Sequence, residues 1–161
     1  MEFKILFEKQ KELDIAIQEK HDLTYEETFE ERFLALYVEL GELANATRCF
    51  KYWSNKPSEG KERVMDEFAD CLHFLLSVGI ACSIIKTQYD VSNNELNLTK
   101  QIILTYELIN EFHEKKDEKS YELLFKSFLA IALKLDMSEQ DIINSYLLKL
   151  NVNYQRQENN Y

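Results

Sequence analysis

Apolar residues recur along this chain at three- and four-residue spacing, the period of a helix with one buried face. Phe3, Leu6, Leu13 and Ile17 form a first stripe, interrupted by the polar Gln10, and predict a helix ending near His21. Thr24 and Glu27 have the spacing of a capping box. They predict a second helix carrying Phe29, Phe33, Leu36, Leu40 and Leu43 to about Phe50. The chain's one proline, Pro57, lies with Gly60 in a polar stretch from Ser54 that predicts a turn. A third helix follows through Val64, Phe68, Cys71, Leu72, Leu75 and Val78. After Ser92, Asn93 and Asn94, a fourth is expected through Ile102, Tyr106, Ile109 and Phe112, and a fifth through Tyr121, Leu124, Phe128 and Leu135. Ser138 and Asp141 mark the start of a sixth, with Ile142, Tyr146 and Leu150. Residues 151–161 are too poor in aliphatic side chains to pack as core, and on composition alone they read as a frayed end.

Composition agrees with this pattern. Three glycines and one proline in 161 residues cannot make the many tight reversals of a sandwich or barrel, and 45% apolar content is enough for one core. The expectation is therefore a single all-α domain, a bundle of about six helices. No run of about eighteen apolar residues could span a bilayer. The N-terminus also lacks the layout of a signal peptide. Cys49, Cys71 and Cys82 are odd in number, include no CxxC pair and suit buried thiols in a reducing compartment, so a cytoplasmic protein is expected. A formal charge of −10 argues against nucleic acid or anionic membrane as partner, because each is bound through a cationic surface.

Within that acidic background two pairs differ from the rest. Glu39 and Glu42 stand three apart in VELGELA, and Glu67 and Asp70 do the same in DEFADCLHF. This spacing puts both acids of a pair on one helix face, so two packed helices can converge four carboxylates. Glu39 has Ala35, Leu36 and Leu43 one turn away, and Asp70 is followed by His73 and Phe74, which predicts that these acids face inward. Buried carboxylates need a cation. From the spacing alone, a metal site and an internal salt-bridge network are equally good readings. If the site holds metal, all-oxygen ligands favour magnesium or manganese, which recruit phosphates as further ligands.

Arg48, Lys51, Lys56, Lys61 and Arg63 form a local cationic patch between the two acidic pairs, with Phe50, Tyr52 and Trp53 among them. These residues suit phosphate and a stacked base, and equally a helix end with snorkelling lysines. The end of the chain offers Lys149, Asn153, Arg156 and Tyr161, which suit either a substrate contact or a solvated tail.

Taken together, the segments VELGELANATRCFKYWS (38–54), DEFADCLHFLLSVG (66–79) and KLNVNYQRQENNY (149–161), with Gln10, Leu13, Asp14 and Ile17, resemble the dimeric all-α dUTPases. These belong to the wider MazG-like group of all-α nucleoside triphosphate pyrophosphohydrolases. The resemblance implies a homodimer that hydrolyses dUTP, and also dUDP, to dUMP with two or more magnesium ions, for which manganese can substitute. It implies Glu39, Glu42, Glu67 and Asp70 as metal ligands, with Glu39 orienting the attacking water. It further implies that Lys149, Asn153, Arg156 and Tyr161 close over the nucleotide as a C-terminal tail, 151–161. Gln10, Asp14, Trp53 and His73 would line the base and sugar pocket, while Lys51 and Lys56, read from the basic patch itself, are candidates to grip the phosphates. Ala46 departs from an acid common in such proteins, and Asn160 from a glycine. A relative of the same fold acting on dCTP or another nucleotide, and a non-catalytic helical interaction protein, are the alternative readings.

Overall fold

A computed structural model describes residues 1–159. It contains six helices: α1 Lys4–His21, α2 Phe29–Thr47, α3 Lys61–Ala81, α4 Leu98–Lys115, α5 Glu118–Lys134 and α6 Glu139–Glu158. Among the described residues the sole strand-like pairing is one antiparallel bridge between Glu2 and Gln88, which ties the N-terminus to the α3–α4 connection. Among the described residues no helix is long and apolar enough to cross a membrane.

Helix starts follow side-chain chemistry. Asn97 accepts a hydrogen bond from the Lys100 amide at the head of α4, and Asp117 does the same from Ser120 for α5. Ser138 and Asp141 form a complete capping box for α6, as their spacing predicts. The Thr24–Glu27 pair makes the reciprocal bonds expected of a box, but they close a turn over 25–28, and α2 begins later, at Phe29. That helix also stops earlier than its apolar pattern implies. Arg48 turns left-handed, with φ of 57°, and its amide caps Ala44 and Asn45.

The central element is α3, which packs against α1, α2, α5 and α6. Its apolar residues surround it, and Phe68, Leu72, Leu75 and Val78 are fully buried. Phe68 stacks on Phe128 of α5 with ring centroids 4.3 Å apart. At Gly79 the Tyr121 ring comes so close that an added Cβ would meet it at 2.4 Å, so glycine there allows α3 and α5 to approach. The polar end of the chain differs from the sequence expectation. The segment from Asn151 does not fray but continues α6 to Glu158. Asn153, Arg156 and Gln157 line a cleft, and polarity there is therefore no signal of disorder.

Candidate active site

Four helices, α1, α2, α3 and α6, converge on one cleft of about 690 Å³. α3 contributes a stripe at three- and four-residue intervals, Glu67, Asp70, His73 and Ser77, and α2 faces it with Glu39 and Glu42. α1 supplies Gln10 and Asp14, and α6 supplies Lys149, Asn153 and Arg156.

At one end of the cleft, carboxylate oxygens of Glu39, Glu67 and Asp70 lie within 4.8 Å of one another. Glu42 also lines the cleft, but its oxygens fall outside that group. Burial pushes Glu39 up to about 7, reinforced by the charges of Asp70, Glu42 and Glu67. Desolvation likewise raises Glu67 and Asp70, opposed by Arg63 in the first case and Lys149 in the second. Arg63 contacts Glu67, and the buried Lys149 ammonium lies 2.6 Å from Asp70 and 2.9 Å from Asp66. Two protein cations thus reach the cluster, yet negative charge remains in excess around Glu39. An all-oxygen donor set with surplus negative charge fits a hard divalent cation.

The sign of the pH effect follows. Between 4.5 and about 7 the folded protein holds a proton on Glu39 that the unfolded chain has lost. This contribution to stability is complete below the unfolded value and disappears as pH rises through the folded one. In EDTA the thermal midpoint should therefore fall between about pH 5 and pH 7.5. Glu39→Gln should flatten that fall, and an unchanged slope in the variant would refute the assignment to Glu39.

At the other end lies a buried hydrogen-bonded network. Gln10 Nε2 donates to Asp14 at 2.9 Å, and Gln10 Oε1 lies 2.7 Å from His73 Nδ1 and accepts from the Tyr146 hydroxyl at 3.0 Å. Asp14 also accepts from Ser77 at 2.7 Å and Tyr25 at 3.1 Å, and pairs with Arg32 at 3.2 Å. Arg32 in turn lies over the Tyr25 ring and donates to Thr28 and Ser77. The His73 ring stacks on Tyr146, with centroids 4.1 Å apart, and burial lowers its pKa to about 3, so the imidazole is neutral.

The structure therefore brings together Gln10, Asp14, Glu39, Glu42, Glu67, Asp70, His73, Lys149, Asn153 and Arg156. Lys51, Trp53 and Lys56 lie outside this cleft, in the α2–α3 connection, where Trp53 is 65% exposed and packs edge-on against Tyr52. Tyr161 lies outside the described residues. Sequence reasoning missed Arg32, Asp66, Ser77 and the polar role of Tyr146. Ser77 had a signal, because it continues the Asp70–His73 face by one turn. Arg32 had none, since Asp14 and Ser77, the partners that draw it into the cleft, come from α1 and α3.

A direct search finds no curated protein that matches the chain. A family model described as dUTPase does match, over residues 2–161. Since that match takes in both carboxylate helices and the cleft-lining end of α6, the chain belongs to the dUTPase family, enzymes that hydrolyse dUTP.

Proposed function

We propose that this cleft is where dUTP is hydrolysed to dUMP and pyrophosphate, with magnesium held by Glu39, Glu67 and Asp70 and assisted by Glu42. The observation that carries the reading is the convergence of three carboxylate oxygens within 4.8 Å at one end of a cleft whose other end is a buried polar network. Two or more divalent ions, magnesium or in its place manganese, would supply positive charge to the phosphates and to an attacking water.

The chain's own groups do the rest. Glu39, at the meeting point of the carboxylates, accepts a hydrogen bond from the water and aims it. Arg63, Lys149 and Arg156 line the same end and neutralise phosphate oxygens. Asn153, one turn from Lys149 on α6, serves the nucleoside, and residues 151–161 close the cleft over it. dUDP, which presents the same α- and β-phosphates, is a second substrate.

The enzyme acts as a homodimer in the cytoplasm. Leu34 and Val38 support the dimer, because they lie one turn apart on α2 and are 64% and 50% exposed. Three free thiols support the reducing compartment. Light scattering should give twice the chain mass, and a monomer at micromolar concentration would refute the dimer.

The decisive assay is pyrophosphate release from dUTP, dCTP, dTTP, UTP and dATP, each with magnesium and with EDTA. Magnesium-dependent release confined to dUTP is expected. Release undiminished in EDTA would remove the metal reading, and release from dCTP in preference to dUTP would move the substrate.

A further inference from the structure

The two protein cations that reach the carboxylate cluster share one further partner. Lys149 Nζ lies 2.6 Å from Asp70 and 2.9 Å from Asp66, and Arg63, which contacts Glu67, also lies 3.1 Å from Asp66. Glu67 and Asp70 belong to the group of oxygens that converge within 4.8 Å, and Asp66 does not. It stands one turn before Asp70 on α3, a spacing of about 6 Å on a helix surface, and lines the same cleft. The Lys149 ammonium therefore has two seats on α3, one on a proposed metal ligand and one beside it. These seats become unequal once the site is filled. An ammonium bonded to Asp70 competes with any other cation for the same oxygens, and in a partly desolvated cleft its repulsion from a divalent ion is strong. The Lys149 side chain is only 8% exposed, so it cannot give up Asp70 cheaply unless another carboxylate takes it. Its four-carbon stem lets the ammonium move over the spacing of one turn while α6 stays in place.

We propose that Asp66 is a positioning residue, the seat that keeps the Lys149 ammonium in the cleft when Asp70 is given up to a divalent ion. This role rests on the metal reading of Glu39, Glu67 and Asp70 given above. In the empty site the ammonium holds Asp70 and offsets part of the repulsion within the cluster. In the filled site Asp66 alone binds it, and the donors released from Asp70 turn toward phosphate oxygens. One cation thus guards a metal ligand in the absence of metal and serves the substrate in its presence, and it is not lost to solvent between the two. Asp66 touches no substrate in this scheme and acts through Lys149. Its position outside the converging oxygens is what fits it for the task, since a carboxylate that took part in holding the ion could not receive the displaced ammonium as well.

Magnesium chloride alone, without nucleotide, is the probe, added to the full chain labelled with 13C and 15N. The Lys149 ammonium nitrogen is followed through its Hε protons and assigned by its disappearance in Lys149→Met. Magnesium should shift this nitrogen and the Asp70 carboxyl carbon together, while the ammonium hydrogens stay protected from exchange with water. In Asp66→Asn the same addition should leave those hydrogens exchanging like a solvent-exposed lysine. Manganese affinity, read by titration calorimetry, gives a second measure. Lys149→Met should bind the ion about tenfold more tightly than the parent, because a competing cation is gone, and Asp66→Asn about tenfold more weakly, because the ammonium then has Asp70 as its one seat. With Lys149→Met already present, Asp66→Asn should lose most of that effect. An equal weakening in both backgrounds means that Asp66 acts on the ion through its charge alone, and overturns the proposal. Hydrogens that exchange freely in the magnesium-loaded wild type overturn it too, since Asp66 then holds nothing. Magnesium that shifts the Glu39 and Glu67 carboxyl carbons while the Lys149 nitrogen stays unmoved overturns the exchange and spares the metal site. No shift at any of these carboxyl carbons removes the metal reading and the exchange with it. Should a variant fail to fold, the wild-type magnesium spectra decide.

Discussion

Glu39→Gln should lower dUTP turnover about a thousandfold or more while the helical spectrum and the unfolding midpoint are retained or improved. Glutamine matches glutamate in shape, so the packing around Ala35 and Leu43 is preserved. What is lost is one negative charge at the point where three carboxylate oxygens meet. In the metal-free protein that charge is unfavourable: burial and the neighbouring Asp70, Glu42 and Glu67 all oppose ionisation. Its removal relieves repulsion, and stability should not suffer. In the proposed mechanism the same charge helps to hold cations and to orient the attacking water, roles for which a neutral amide is a poor substitute. Turnover within tenfold of the parent would place the chemistry elsewhere.

Removal of residues 152–161 should cost about a hundredfold in kcat/KM and little in stability. Every residue of α6 buried in the core, from Ile142 through Leu150, precedes the cut. The deleted segment contains Asn153, Arg156 and Gln157, which line the cleft. Among the described residues removed, Tyr154 is the one partly buried apolar group, so a modest drop in the unfolding midpoint is expected. A truncated protein with undiminished kcat/KM would return this segment to a solvated helix end. A truncated protein that no longer folds would show that the last turns of α6 anchor the bundle.

These two variants fall on residues that the sequence exposes to different degrees. Glu39 and Asp70 are legible because a carboxylate at helical spacing among leucines and phenylalanines cannot be ordinary surface. The end of α6 is harder, because a helix facing a polar cleft and a helix dissolving into solvent require the same residues. The α2 boundary misleads for a local reason: Thr24 and Glu27 satisfy each other within a single turn, and the capping pattern does not require a helix to follow at once. Arg32 and Asp66 are invisible for a global one. Each takes its meaning from partners on other helices, Asp14 in the first case and Lys149 in the second, and periodicity fixes which face of a helix is apolar without fixing how neighbours are rotated about it. The aromatic connection containing Trp53 carries a cationic, ring-rich composition that suits a nucleotide, yet in the isolated chain it lies away from the acids.

The stripe on α3 has one more consequence. Glu67 and Ser77 are ten residues apart, a rise of about 15 Å along one rigid axis. The acids at one end and the polar network at the other are therefore marks on a single ruler, and the helix fixes their separation and bearing together. An inserted residue between Asp70 and His73 would swing one mark about 100° from the other while leaving each side chain intact. The reach of this enzyme, the span of ligand over which it can read one end and act on the other, is in this sense written in the pitch of one helix.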